Sequence, residues 1–108
     1  MAKKAIPDEV KQQATQIIER FNRKELARTG SYYSPRWQGA FLYLERVEHG
    51  TPAPICRLKY TGDMSQWEFA IFKYSSERYA PNERWFPGAG CVDGTIEGAM
   101  KAGMQAYS

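Results

Sequence analysis

Apolar and polar positions alternate most regularly over residues 66–74. Trp67, Phe69 and Ile71 fall on one side of a ribbon of period two; Glu68, Ala70, Phe72 and Tyr74 fall on the other. One side is large and apolar, the other mixed, as in a strand with one face in a core and the second half open. Similar alternation runs over 40–48, where Phe41, Tyr43 and Val47 oppose Leu42 and Leu44. It returns over 55–60, where Cys56, Leu58 and Tyr60 oppose Ile55, Arg57 and Lys59. Residues 49–54 and 61–65 are the intervening turns, and such short connections favour an antiparallel meander.

The pattern changes to a helical period upstream. Val10, Ala14, Ile17 and Phe21 recur behind Pro7, Asp8 and Glu9, residues suited to a first helical turn. Leu26 falls on the opposite side of that wheel. The helix is therefore expected to end or bend near 22–24, the alternative being one helix to Arg28 closed by Gly30. Downstream, Asp93 or Thr95 can cap a last helix whose Ile96, Met100, Gly103 and Tyr107 share a face. Gly94, Gly98 and Gly103 weaken that helix, so docking must hold it. Residues 31–39 read as a connector because Pro35 and Gly39 interrupt regular structure. Residues 78–80 read as an edge piece, broken at Pro81 and resuming over 84–86. The expected fold class is α+β: a meander of three to four strands flanked by an N-terminal and a C-terminal helix. The whole chain, 1–108, forms one domain with a flexible stretch over 1–6.

Charge refines this picture by its distribution. The net charge of +3 belongs to residues 1–30, since 31–108 are balanced. That excess is expected to be a solvated helix face, the alternative being an electrostatic footprint for nucleic acid. Two cysteines, Cys56 and Cys91, without a signal sequence fit a reducing, cytoplasmic compartment. No apolar run is long enough to span a membrane. One histidine and two separated cysteines make no metal set, and no cofactor motif is present.

Three constellations remain. Cys91 before the last helix, with His49 as the lone imidazole, is the minor case for thiol chemistry; no catalytic residue is assigned and no enzyme is expected. The glycine-rich run 88–94 matches neither phosphate-binding fingerprint and reads as a connector, with an anion site as the lesser alternative. The third is the sheet face opposite Trp67. Phe72, Tyr74, Tyr43, Arg57 and Lys59 would combine rings with cations, the platform used for single-stranded nucleic acid. The competing expectation is that a helix or second subunit covers this face. A secondary candidate is the 31–39 connector with Tyr32, Tyr33, Arg36 and Trp37, where Trp37 plugging the core edge is the plainer reading.

The order helix, three-stranded meander, helix over residues 7–107 resembles the double-stranded RNA-binding domain. That resemblance implies lysines at the start of the last helix, whereas residues 94–101 hold one lysine, Lys101, and one glutamate, Glu97. The chain departs from the family at its defining contact. The expected function is a non-enzymatic binding module for single-stranded nucleic acid, using the sheet face and the basic N-terminal segment. The alternative is an apolar interface for another protein or for a homodimer on the same surface.

Overall fold

The computed structural model describes residues 5–83 and 85–107. Pro7, in extended conformation, starts helix α1 (Asp8–Phe21), with Asp8 and Glu9 at the positive end of its dipole. Val10, Ala14, Ile18 and Phe21 form the buried stripe. At Asn22 the backbone neither stops nor continues as an α-helix. It widens into a π-turn over Asn22–Leu26. The larger turn changes the angular phase, bringing Leu26 back to the buried side at 1% exposure.

Five strands follow in one antiparallel sheet whose spatial order is the chain order. They are β1 (Ser31–Gln38), β2 (Phe41–Glu48), β3 (Thr51–Lys59), β4 (Glu68–Lys73) and β5 (Arg78–Ala80). A 3-10 turn at Ala89–Cys91 leads to helix α2 (Ile96–Ala106). The architecture is the expected α+β arrangement: a helix, an open antiparallel sheet, and a second helix.

Several local expectations are corrected. Residues 31–39 are not a connector, because 31–38 form β1. Pro35 is tolerated there since β1 is an edge strand, where a missing N–H costs no ladder bond. Gly39, at φ 59°, then makes the tight turn into β2. The turn expected over 49–54 shrinks to His49 and Gly50, both with positive φ (54° and 79°), as a twisted hairpin requires. Thr51 to Pro54 join β3. The register moves from Leu44 opposite Cys56 to Glu45 opposite Pro54, leaving Ile55 as an extra residue. This bulge buries Ile55 and Cys56 together, at 1% and 0% exposure, where simple alternation separates them. Trp85 and Phe86 lie in irregular backbone rather than a resumed strand, and Arg84 lies outside the described residues. Residues 1–4 of the expected flexible stretch also lie outside them, but Ile6 is in the core at 2% exposure, its N–H bonded to the Gly39 carbonyl.

The core lies on one side of the sheet. Tyr33, Leu42, Leu44, Leu58, Trp67 and Ile71 join α1 and α2 in a single cluster, with Phe69 and Phe86 packed against it. Thr95 caps α2 by accepting from the Gly98 N–H, while Asp93 accepts from the Thr95 N–H and hydroxyl. Gly103 lets the helix sit close to the sheet. A Cβ there would fall 2.5 Å from both the Ile55 Cγ2 and the Tyr33 hydroxyl oxygen. That hydroxyl donates to the Met100 carbonyl at 2.9 Å. No helix among the described residues is long and apolar enough to cross a membrane.

Candidate functional site

With the helices on the Tyr33–Leu58 side, alternation sends Arg36, Phe41, Tyr43, Arg57, Lys59, Glu68 and Phe72 to the outer side. Tyr79 stands opposite Phe72 and joins them. The register aligns Arg36, Tyr43, Arg57 and Ala70 across four strands. Their rings form a connected row. Phe41 lies 6.0 Å from Tyr43, Tyr43 lies 5.3 Å from Tyr79, and Tyr79 lies 5.0 Å from Phe72. Phe72 in turn meets Tyr74 at 4.9 Å, edge to face.

Two arginines are laid over this row. The Arg36 guanidinium sits 4.2 Å from the Tyr43 ring centroid. Arg57 sits 4.6 Å from Phe41 and 5.4 Å from Tyr79. Planar guanidinium groups favour such stacking, and their outer planes remain a stacking surface. Arg36 also pairs with Glu45 at 3.4 Å. Lys59 is exposed at the end of β3. With Glu45 and Glu68 on the same side, the face carries, among the described residues, three cations and two carboxylates. Burial pushes the Tyr79 phenol above its ordinary pKa, opposed by the nearby Arg36. Burial does the same to Tyr74, with Tyr107 adding to it and Arg46 opposing.

Of the five residues singled out on the sheet, Tyr43, Arg57 and Phe72 are brought together. Lys59 lies across from Phe41 and Glu68 at the margin. Tyr74 lies just past β4, its hydroxyl donating to the Pro54 carbonyl at 2.7 Å. The secondary set is dispersed by strand alternation. Arg36 joins the outer row, and Tyr32 is exposed. Tyr33 is in the core, and Trp37 packs against it with the Lys11 ammonium 5.9 Å from its ring. Phe41 and Tyr79 were not anticipated as members. Phe41 shares parity with Tyr43, a signal available in the sequence; Tyr79 sits in a strand too short to show a pattern.

The other candidates stay apart from this face. Arg20, Arg23, Lys24 and Arg28 are exposed along α1 and the turns after it, in the layer behind the sheet. Cys91 lies in the 3-10 turn against α2, accepting from the Gln105 amide at 3.4 Å. His49 is at the tip of the β2–β3 hairpin, and no hydrogen bond joins it to Cys91 among the described residues. In the glycine-rich run, a Cβ at Gly88 would fall 2.5 Å from the Ala102 carbonyl and one at Gly94 2.5 Å from the Ser65 carbonyl. Close backbone approach accounts for both glycines. No group of three or more His, Cys, Asp or Glu suited to a metal occurs among the described residues.

Compared with known protein families, curated proteins and solved structures, the chain matches none.

Proposed function

We propose that the outer sheet face binds single-stranded nucleic acid. Bases would stack on the ring row and its guanidinium planes, while Arg36, Arg57 and Lys59 meet phosphates. The observation that carries this reading is Arg57, held over both Phe41 and Tyr79 in the middle of a half-open aromatic face. The edges of the sheet favour use of the face over strand addition. Pro35 lies on β1, and β5 is three residues long and followed by Pro81. The basic helical layer lies behind the sheet, so its part is long-range attraction rather than contact.

A protein partner or second copy is the other reading, favoured by the near balance of charge on a Tyr- and Arg-rich surface. Salt separates the two. Three phosphate contacts to a single strand give a slope of about −2 in log affinity against log salt. Affinity for an unstructured oligothymidylate, read by fluorescence anisotropy, should fall roughly tenfold to twentyfold between about 50 and 200 mM salt. Arg57→Ala should lower the slope by about 0.7. A flat salt response, or no binding at low salt, would sink the nucleic-acid reading; concentration-dependent dimerisation insensitive to salt would support the other.

A further inference from the structure

Among the described residues, Arg46 is the one charged side chain buried in the interior, at 8% exposure. It shares the parity of Leu42 and Leu44 on β2, so it lies on the helix side of the sheet, against α2. A guanidinium carries five N–H donors, and burying it costs free energy where they are poorly matched. The acceptors here are poor. Nε faces the Glu48 carboxylate at 3.5 Å, but that side chain is 56% exposed to water. Nη1 is aimed at the Met104 Sδ at 3.8 Å, and a thioether is a weak acceptor. The Tyr33 hydroxyl oxygen is a third neighbour, and its own proton goes to the Met100 carbonyl. A full positive charge is thus turned on a neutral sulfur. That sulfur belongs to a half-buried residue near the end of α2, whereas Met100, one turn earlier, is fully buried.

We infer that Met104 is a site of oxidation by hydrogen peroxide, and that Arg46 receives the product. In that step a lone pair of Sδ attacks one peroxide oxygen, and the S–O bond forms as the O–O bond breaks. The departing hydroxide takes the proton of the transferred oxygen and leaves as water; sulfur is oxidised by two electrons and the peroxide reduced. Sulfoxide formation is the reversible rung of methionine oxidation. In an apolar layer the new polar oxygen ordinarily disrupts packing. Here the flexible end of the side chain turns it toward Nη1, and a charge-assisted hydrogen bond takes the place of the thioether contact. Oxidation then ties the last turn of α2 to β2 instead of loosening it. This inference concerns the helix side of the sheet and stands whether or not the outer face binds nucleic acid.

Treatment of the whole chain with dilute hydrogen peroxide tests it, with peptide mass spectrometry to place the oxygen and urea unfolding to read its effect. Oxygen is expected on Met104, with Met100 spared. Met64 is also half-buried, so oxidation there is common to the wild type and to Met104→Leu, and comparing the two isolates Met104. Peroxide should lower the urea midpoint of the wild type no more than that of Met104→Leu. In Arg46→Met, which keeps the bulk of the stem without the charge, the same treatment should lower the midpoint clearly. Met104→Gln places a strong acceptor on an unbranched side chain without any oxidant, and should unfold at a urea midpoint no lower than Met104→Leu. That pair decides the matter if Arg46→Met does not fold. The inference is overturned if Met104 stays unmodified while Met64 is oxidised. It is equally overturned if peroxide lowers the wild-type midpoint further than that of Met104→Leu, or if Met104→Gln is the less stable of the pair.

Discussion

The Asn22 carboxamide makes two hydrogen bonds to the backbone of Tyr33, accepting from its N–H at 2.8 Å and donating to its carbonyl at 3.0 Å. A side chain from the π-turn thus occupies the place a neighbouring strand would take at the free edge of β1. The widened turn that returns Leu26 to the core also sets Asn22 at this edge. The result protects an edge that would otherwise be a template for pairing.

Asn22→Ala is therefore expected to destabilise the fold by about 1–3 kcal/mol, the range for losing the partners of a partly buried donor and acceptor. Asn22→Asp should be no better, because a carboxylate keeps the acceptor but faces the Tyr33 carbonyl. Urea unfolding measures both, and size-exclusion chromatography should show more association for the alanine variant. Wild-type stability in Asn22→Ala would show that water replaces the amide without loss.

Gly103→Ala tests the closeness of α2 to the sheet. Alanine gains about 1 kcal/mol in helix propensity, but its Cβ would strike the Ile55 methyl and the Tyr33 hydroxyl. Overpacking of this kind costs about 1–3 kcal/mol, so a net loss of up to about 2 kcal/mol is expected. In a Tyr33→Phe background the loss should shrink, since one of the two collisions is gone. A double-mutant cycle by denaturant unfolding reads that coupling. A stabilised Gly103→Ala would refute the close approach.

Stability should fall on the alkaline side. Burial pushes the Tyr33 phenol well above its ordinary pKa, with Cys56 adding to it and Arg46 opposing, and burial alone raises the Cys56 thiol. A raised pKa means that the folded chain holds the proton more tightly than the unfolded one. The stability is then fully present below the unfolded value and lost as pH climbs above it. Those unfolded values are about 8.5 for the thiol and about 10 for the phenol. Each proton contributes a slope of up to about 1.4 kcal/mol per pH unit. Tyr33→Phe should flatten the curve above about pH 10 by one such proton. An unchanged slope in urea titrations at stepped pH would contradict the burial argument.

On the proposed reading of the outer face, Arg57→Lys separates charge from stacking. Lysine retains the positive charge, so the salt slope should stay near the wild-type value. It loses the planar group lying over Phe41 and Tyr79, and affinity for oligothymidylate should fall severalfold. Full retention of affinity would show that the guanidinium plane plays no part.

Much of the fold is written in local pattern. The helical spacing of Val10, Ala14 and Phe21, the two-residue period around Trp67, and the capping oxygen of Thr95 each report their own surroundings. The outer row was partly legible for the same reason, through the parity of Tyr43, Arg57 and Phe72. The segment 31–39 was misread because proline and glycine signal a break without revealing whether the strand is at an edge. Ile55 was misplaced because a bulge depends on the partner strand.

Away from the β3 bulge and the π-turn, the sequence by itself determined which residues would share a side of each element, because alternation and helical phase are properties of neighbours along one chain. Tertiary structure alone decided that Ile55 and Cys56 would be buried together, that Asn22 would close the edge of β1, and that Tyr79 and Tyr107 would extend the ring row. Those outcomes depend on register between strands and on contacts across long separations. A shift of one residue in pairing reverses a whole face, and no local pattern fixes that shift.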